Sequence, residues 1–205
     1  MRPSVIYVAT TNKGKLRDFA TAGALTGVRI EELPGLRDMP EAIEDGETFE
    51  ANARLKAEHY SRLAPELWVL ADDSGLEVDA LDGLPGVRSA RFANDEKFTG
   101  DAGQSTDQRN NACLLQKLSG VAENLRTARY RCVLAVARDG QTLETAAGAV
   151  EGRILSAPRG EGGFGYDPLF LLPELGKTMA EIDLETKHSL SHRGRALRAL
   201  FERWQ

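Results

Sequence analysis

The sequence predicts an α/β protein with a mixed β-sheet flanked by helices. Three observations lead to this fold class. Short apolar segments rich in β-branched residues alternate along the 205 residues with longer segments of helical periodicity. Asp139-Gly140 stands between two of the apolar segments, and this dipeptide is a strong signal for a two-residue hairpin of antiparallel strands. The sequence shows no internal repeat or flexible linker, so we expect one domain over residues 1–205.

The first quarter of the chain predicts a strand, a loop and a helix, followed by a short strand and a long loop. The run 4–10 is apolar and β-branched, as is typical of a buried strand. The polar residues 11–15 precede a helical pattern over 16–25. Residues 29–33 predict a second, short strand, and the Pro-, Gly- and acid-rich stretch 34–47 predicts a loop.

The next two segments predict a helix and then strand structure. Apolar and small residues recur at helical spacing over 48–63, and Pro65 ends this helix. Residues 67–81 begin with an apolar run and end with apolar residues that alternate with acidic ones, as in a half-buried strand. Because Ser74-Gly75 interrupts the apolar pattern, we expect a hairpin or a bulged strand there.

The second half of the chain continues the mixed pattern. A capping-box pattern predicts a helix over 105–120, and strands are predicted on both sides of Asp139-Gly140. Residues 168–172 predict a further short strand, and residues 177–182 carry a second capping-box pattern, typical of a helix start. The C-terminal residues predict an amphipathic helix with four apolar positions: Leu197, Leu200, Phe201 and Trp204.

Composition and charge limit the classes of function. Hydrophobic residues make up 41% and charged residues 28% of the chain, which excludes an intrinsically disordered protein. The net charge of −5 disfavours a surface that neutralises a nucleic acid polymer. No apolar run has the length of a membrane span or of a signal-peptide core, so we expect a cytoplasmic protein with no membrane partner. Cys113 and Cys132 are expected to be buried, reduced thiols.

The loop after the first strand is a candidate anion site. It contains short hydrogen-bonding side chains and two lysines, and it precedes a helix whose first N–H groups and dipole favour negative charge. It lacks the spacing of a Walker A loop. A solvated turn with two surface lysines is an equally good interpretation of this loop alone. The candidate residues are Thr10, Thr11, Asn12, Lys13, Gly14 and Lys15.

Two adjacent acids, Asp72 and Asp73, follow the apolar run of the 67–81 segment. In an extended strand their side chains point to opposite faces, so only one of them can easily share a site with the loop after the first strand. Mg²⁺ prefers carboxylates, waters and phosphates as ligands, and a carboxylate can also act as a base toward water. An Asx turn entering Ser74-Gly75 is the alternative, but it accounts for one aspartate better than for two.

Further candidates lie in the acidic loop and on the helix that follows it. One of the acids within 41–47 is a candidate metal ligand, although acids are also common just before a helix for electrostatic reasons. Asn52 and Lys56 are four residues apart and therefore share a helix face. That face either lies toward a phosphate or is solvated, and a solvated face is the more common case.

Glycines and basic residues mark the last candidates. Three glycines within 162–165 surround Phe164, which indicates that something approaches the backbone closely at this point. His188 and His192 have the spacing of a zinc pair on a helix, but the serines and glycine around them disfavour a zinc site. The candidate hydrogen-bond donors to a ligand in this tail are Lys187, His192 and Arg193.

Five segments, taken together in this order, resemble the Ham1/inosine triphosphate pyrophosphatase family, which hydrolyses non-standard purine nucleoside triphosphates. They are TTNKGK, ETFEANARLKA, ADDSGLEVDALDGLPGVRSARFA, GGFGYDPLF and KHSLSHRGRAL, and they cover nearly the whole chain. The resemblance implies an elongated mixed sheet in two lobes, with the active site in the cleft between them, and a homodimer. It also implies hydrolysis of ITP, dITP or XTP to the monophosphate and pyrophosphate with Mg²⁺ as cofactor.

The resemblance implies a role for individual residues. Asp73 would bind Mg²⁺ and act as the base toward the attacking water, and Glu44 would be the second metal ligand. Many bacterial members have two successive acids here, and Ile43 replaces the first of them. Lys56 would lie near the phosphates with the loop 10–15, and Ser74 would contact the substrate. The residues implied for the purine pocket are Phe164, Gly165, Tyr166, Asp167, Lys187, His192 and Arg193.

Base selection follows from the chemistry of the purine edge. Hypoxanthine and xanthine present a carbonyl at position 6 where adenine presents an amino group, so donors from His192 or Arg193 would favour them. Phe164 would stack on the base. Two alternatives are a regulatory module that binds a nucleotide without turnover, which the two adjacent acids disfavour, and an enzyme that acts on ordinary nucleotides or releases phosphate.

Overall fold

The computed structural model describes residues 3–204, without the side chains of Ala22, Leu25, Thr26 and His188. Its sheet has seven strands in the order β2-β1-β3-β4-β5-β6-β7. The strands are β1 (Val5–Val8), β2 (Arg29–Glu32), β3 (Val69–Val78), β4 (Thr127–Arg138), β5 (Gln141–Ile154), β6 (Phe170–Leu172) and β7 (Lys177–Thr178). The α-helices are α1 (Lys13–Thr26), α2 (Phe49–Leu63), α3 (Phe92–Asp95), α4 (Thr106–Lys117), α5 (Leu184–Leu190) and α6 (His192–Glu202).

The predicted mixed sheet is confirmed. β1 pairs in parallel with both β2 and β3. β6 pairs antiparallel with β5 and with β7. The Asp139-Gly140 hairpin between β4 and β5 is also confirmed, and both of its residues have the positive φ angles, 52° and 80°, that this tight turn requires. Within residues 3–204, no helix is long and apolar enough to cross a membrane.

The contacts divide the chain into two compact units. The first unit contains the chain up to Ser74, Cys132–Ala149 and the chain from His188 onward, and the second contains Gly75–Arg131 and Val150–Lys187. Each unit has its own apolar core. The core of the first is built mainly from β1, β3, β4, α1 and α6, and that of the second from the second half of β3 with α4, β5 and β6. The single domain over residues 1–205 stays a prediction.

Of the two structures expected at Ser74-Gly75, the hairpin is wrong, because β3 runs without a break from Val69 to Val78. The bulged strand stays a prediction. Eight of the ten residues of β3 are buried, so the strand is covered on both faces and not on one. A strand buried on both faces does not need strict alternation of apolar and polar residues. Hydrogen bonds instead hold the polar residues in the middle of β3. For example, Ser74 Oγ donates to Asp72 Oδ2 at 3.0 Å.

Two capping-box patterns have different outcomes. Ser105 and Gln108 form both reciprocal hydrogen bonds at the start of α4, as predicted. The pattern at 177–182 does not start a helix, because Lys177–Thr178 is the short edge strand β7. One half of the capping box is present, because the Thr178 N–H donates to the Glu181 carboxylate at 2.7 Å. The Thr178 hydroxyl donates to the carbonyl of Arg159, and Lys177–Thr178 pairs with β6, so this residue lies at the sheet edge and caps no helix.

Candidate active site

Asp72 is the buried centre of a charged group in the first unit. Lys15 Nζ lies 2.9 Å from Asp72 Oδ2, and Arg193 Nε lies 3.6 Å from the same oxygen. Burial by itself would raise the pKa of the Asp72 carboxyl, but the charges of Lys15, Arg193 and Lys56 outweigh it and hold this pKa well below its usual range. Asp72 is therefore an ionised carboxylate that the protein itself neutralises.

Asp73, the next residue along β3, has different surroundings. Its Oδ2 accepts a hydrogen bond from Asn52 Nδ2 at 3.0 Å, and its Oδ1 accepts one from the Ser74 backbone N–H at 3.0 Å. Among the described side chains, no cation forms a salt bridge with it. Burial raises the pKa of the Asp73 carboxyl, and the hydrogen bond from Asn52 offsets this only in part. Asp73 is thus the carboxylate of the pair with capacity left for a proton or a cation.

The two aspartates use the two faces of β3, as expected for adjacent strand residues. Asp72 is the one whose carboxylate pairs with the loop after β1, through Lys15. Asp73 instead accepts its side-chain hydrogen bond from α2, through Asn52. Both aspartates are nevertheless buried, with 1% and 8% of their surface exposed. The pKa values of these two adjacent aspartates are therefore shifted in opposite directions, down for Asp72 and up for Asp73.

Asn52 links Asp73 to the acidic loop, a role that the sequence analysis missed. Its Oδ1 accepts a hydrogen bond from Gly46 N–H at 2.8 Å while its Nδ2 donates to Asp73. A Cβ atom at Gly46 would lie only 2.8 Å from that Oδ1, so the close approach requires glycine. The side chain is buried and not solvated. Its position between Phe49 and Lys56 on the inner face of α2 is the signal that could have revealed it.

Lys56 connects Glu44 to β3. Its Nζ lies 2.8 Å from Glu44 Oε2 and donates to the backbone carbonyl of Asp72 at 3.0 Å. Burial opposes the charge on Lys56, but the carboxylates of Asp72, Glu44 and Asp73 outweigh it and raise the pKa of this lysine. Lys56 is therefore a partly buried cation beside three acids.

The loop between β1 and α1 is organised by Asn12. Its side chain caps α1 and accepts hydrogen bonds from the N–H groups of Gly14 and Lys15, at 2.9 and 3.1 Å. These two N–H groups are therefore already paired within the protein. The loop opens onto a cavity of about 270 Å³ in the first unit. The residues lining it include Thr10, Thr11, Arg37, Glu41, Glu44 and Lys56.

Residues 162–167 form a second polar group, within the second unit. Asp167 is buried, and its Oδ2 lies 2.5 Å from Lys187 Nζ and accepts the Phe164 N–H at 2.9 Å. Its Oδ1 accepts a hydrogen bond from the hydroxyl of Tyr130 at 3.3 Å. Lys187 Nζ also lies 5.0 Å from the centroid of the Phe164 ring, within range of a cation–π interaction.

The glycines of this segment are explained by the protein itself. A Cβ at Gly163 would lie 2.1 Å from Asp167 Oδ2, and one at Gly162 would lie 2.8 Å from the carbonyl oxygen of Ala180. Gly163 also has a φ of 75°, which disfavours other residues. Gly165 differs, because its φ of 61° requires glycine while the space beyond it, among the described atoms, is open.

Tyr166 does not present its ring as a surface of this segment. The side chain belongs to the apolar core of the second unit, and its hydroxyl donates to the carbonyl of Ser89 at 2.8 Å. Burial raises the pKa of this hydroxyl above its usual range. Tyr166 therefore anchors the segment to the apolar core of the second unit.

The basic residues of the tail fall into different units. Lys187 belongs to the second unit and pairs with Asp167. His192 and Arg193 begin α6 in the first unit, and both are buried. Arg193 donates to Ser74 Oγ at 2.8 Å, so it is part of the charged group around Asp72.

The described residues contain no group of three or more His, Cys, Asp or Glu side chains arranged to hold a metal ion. Of the two histidines at zinc-pair spacing, His192 begins α6, and the side chain of His188 lies outside the described residues.

Comparisons with known proteins agree on one family. The model of the Ham1 family matches residues 6–203. A dITP/XTP pyrophosphatase of Acidobacterium capsulatum is 59% identical over 198 residues, which cover 97% of each chain. A dITP/XTP pyrophosphatase of Geobacillus kaustophilus is 50% identical, over 98% of this chain and 94% of the relative. The solved structure of a HAM1 protein from Coxiella burnetii superposes with a TM-score of 0.81 at 35% identity, over 98% of both chains.

Proposed function

The chain belongs to the Ham1 family, and we propose that it hydrolyses the non-canonical purine nucleoside triphosphates ITP, dITP and XTP. The products are the nucleoside monophosphate and pyrophosphate, so the reaction removes these nucleotides from the cellular pool. One observation carries the proposal from the side of the geometry. Of two adjacent buried carboxylates, Asp72 forms a salt bridge with Lys15, whereas Asp73 forms none among the described side chains and lies within electrostatic range of Lys15 and Lys56, the lysines that a triphosphate would need.

The carboxylates near Lys56 fit a magnesium ion. Mg²⁺ is usually held by one or two carboxylates together with waters and substrate phosphates, and not by a cage of protein ligands. Each oxygen of Asp73 accepts one hydrogen bond and retains a lone pair for a further partner. Glu44 is partly exposed and pairs with Lys56 through one oxygen. We therefore propose Asp73 and Glu44 as the residues that hold Mg²⁺, which would neutralise charge on the phosphates.

Within this proposal, Asp73 also acts as the base toward the attacking water. Its raised pKa brings it closer to the range in which a carboxylate can accept a proton at neutral pH. Asn52 orients the carboxylate through its hydrogen bond. Lys15 and Lys56 supply positive charge for the phosphates, together with the other residues of the loop 10–15. Phosphoanhydride hydrolysis requires mainly positioning and charge neutralisation, so no covalent nucleophile is needed.

We assign recognition of the purine to the second group. Phe164 would offer its ring for stacking, and Gly165, Tyr166, Asp167 and Lys187 would hold it in place. His192 and Arg193, which begin α6, are proposed as further substrate contacts, as is Ser74. The resemblance to the family further supports a cytoplasmic enzyme that acts as a homodimer, which light scattering coupled to gel filtration would test.

The proposal is tested by the products and by a panel of nucleotides. The purified chain is incubated with Mg²⁺ and ITP, dITP, XTP, ATP or GTP, and the products are separated by ion-exchange chromatography. We expect one pyrophosphate per monophosphate and a strong preference for ITP, dITP and XTP. Release of inorganic phosphate, equal rates with ATP, or nucleotide binding without turnover would contradict the proposal.

A further inference from the structure

Helix α4 holds Gly165 through hydrogen bonds to both its N–H and its C=O group. Asp107 Oδ2 accepts the Gly165 N–H at 2.8 Å, and Asn111 Nδ2 donates to the Gly165 carbonyl at 2.9 Å. Asp107 and Asn111 are four residues apart on α4, so both side chains lie on one face of the helix. We name this pair the Gly165 clamp. All three residues belong to the second unit.

The clamp controls both backbone dihedral angles of Gly165. The N–H of this residue lies in the peptide plane that precedes it, whereas its C=O lies in the plane that follows. Hydrogen bonds to both groups therefore fix φ and ψ together. Glycine has more backbone freedom than any other residue, and Gly165, unlike Gly162 and Gly163, has no close neighbour among the described atoms where a Cβ would lie, so such control matters most there. Gly165 lies directly between Phe164 and the buried anchor Tyr166.

Asn111 also keeps its geometry at a cost. Its Oδ1 is buried and has no hydrogen-bond partner among the described residues. A buried acceptor without a partner is unfavourable, and folded proteins rarely keep one without compensation. Asn111 therefore donates its hydrogen bond to the carbonyl of Gly165 although its own side-chain oxygen has no partner among the described residues. The open space beyond Gly165 leaves this peptide accessible to a ligand.

We propose that Asp107 and Asn111 are positioning residues for purine selection, because they hold the Phe164–Gly165–Tyr166 backbone in the conformation that recognises the base. This inference rests on the proposed function of the second group. Both hydrogen bonds of the clamp are made within the second unit, whereas Asp73 and the residues assigned to the phosphates belong to the first. Loss of the clamp should therefore weaken substrate binding and base discrimination while leaving the chemical step largely intact.

The test measures kcat and KM for ITP and for ATP in the full chain and in clamp variants. For Asp107→Ala and for Asn111→Asp, we expect the KM for ITP to rise about tenfold, because a disordered glycine must then be ordered on binding. The ratio of kcat/KM for ITP to that for ATP should fall, whereas kcat for ITP should change little. Asp107→Asn keeps an acceptor oxygen and should restore most of the KM and of the ratio. Gln116→Ala, an exposed change on the same helix, is the matched control.

Thermal melting of each variant separates positioning from folding. An unchanged KM for ITP in folded Asp107→Ala and Asn111→Asp would overturn the inference. An equal loss for ITP and ATP would also overturn it, since that result indicates a structural role alone. If the unaltered chain does not hydrolyse ITP to IMP and pyrophosphate, the proposed function fails and the inference fails with it. If the unaltered chain is active, the variants decide the inference separately.

Discussion

The charged group around Asp72 and Asp73 and the 162–167 segment both contain a buried carboxylate paired with a lysine. In the segment, Asp167 pairs with Lys187 and accepts hydrogen bonds from two further protein donors. In the charged group, the protein neutralises Asp72, but Asp73 has no cationic partner among the described side chains. The buried carboxylate of the 162–167 segment is therefore paired within the protein, whereas one carboxylate of the charged group, Asp73, forms no salt bridge with a described side chain. In the proposed reaction, the segment would supply shape and the charged group would supply reactivity.

The largest expected effect is that of Asp73→Asn. If Asp73 is the base and a metal ligand, this change should lower kcat by a factor of about 10³, measured as pyrophosphate release from ITP. Because both oxygens of Asp73 accept hydrogen bonds and asparagine keeps only one acceptor oxygen, the melting temperature should fall modestly while the fold is kept. Asp38→Asn, at an exposed position, serves as the control. Activity near that of the unaltered chain would contradict the comparison.

Lys187→Met should lower the stability of the protein, because it breaks the buried ion pair with Asp167. Removing this lysine leaves the buried Asp167 without its cation, which should lower the free energy of unfolding by about 3 kcal/mol. Urea denaturation followed by circular dichroism measures the change. Lys177→Met, at an exposed position in β7, should have little effect. A variant of Lys187 as stable as the control would show that the segment does not depend on this pair.

Asn52→Asp sharpens the comparison, because it keeps the acceptor for Gly46 N–H and removes the donor to Asp73. The new carboxylate also repels that of Asp73. We expect kcat to fall by about 100-fold, as misplaced catalytic groups commonly cause. The assay is again pyrophosphate release, with exposed Asn124→Asp as the matched change. An unaltered kcat would remove Asn52 from the catalytic arrangement.

The smallest effect is expected at Glu181, next to the carbonyl of Ala180 that accepts the Gly162 N–H. The hydrogen bond from the Thr178 backbone, and then Arg159, lower the pKa of Glu181. Since its folded pKa lies below the unfolded value, its stabilising contribution is present at neutral pH and is lost as the pH falls through the folded value. Glu181→Gln should therefore lower the melting temperature slightly at pH 7, and the difference should vanish as the pH falls through the folded pKa of Glu181. A difference that persists in acid would contradict this assignment, and exposed Glu174→Gln is the control.

Much of the fold followed from local rules. The hairpin at Asp139-Gly140 and the capping box of α4 were predicted correctly, because their partners lie within a few residues of each other. The helix start predicted at 177–182 was wrong, because Lys177–Thr178 pairs with β6 and the Thr178 hydroxyl donates to the carbonyl of Arg159. The hairpin considered within β3 was wrong, because the strand continues through Ser74-Gly75 with both faces buried. Local patterns contain no information about either long-range contact.

For the candidate site, the residues themselves indicated the chemistry: lysines after a first strand, two adjacent acids, and a glycine-rich segment with an aromatic ring. The order of the five motifs indicated the family, because that order can be read directly from the sequence. The different states of Asp72 and Asp73 could not be derived in that way. They depend on Lys15, Asn52 and Arg193, which only folding brings to β3. A pKa is determined by charges and burial within a few ångströms, so two identical neighbours in the sequence acquire different roles only in the folded protein.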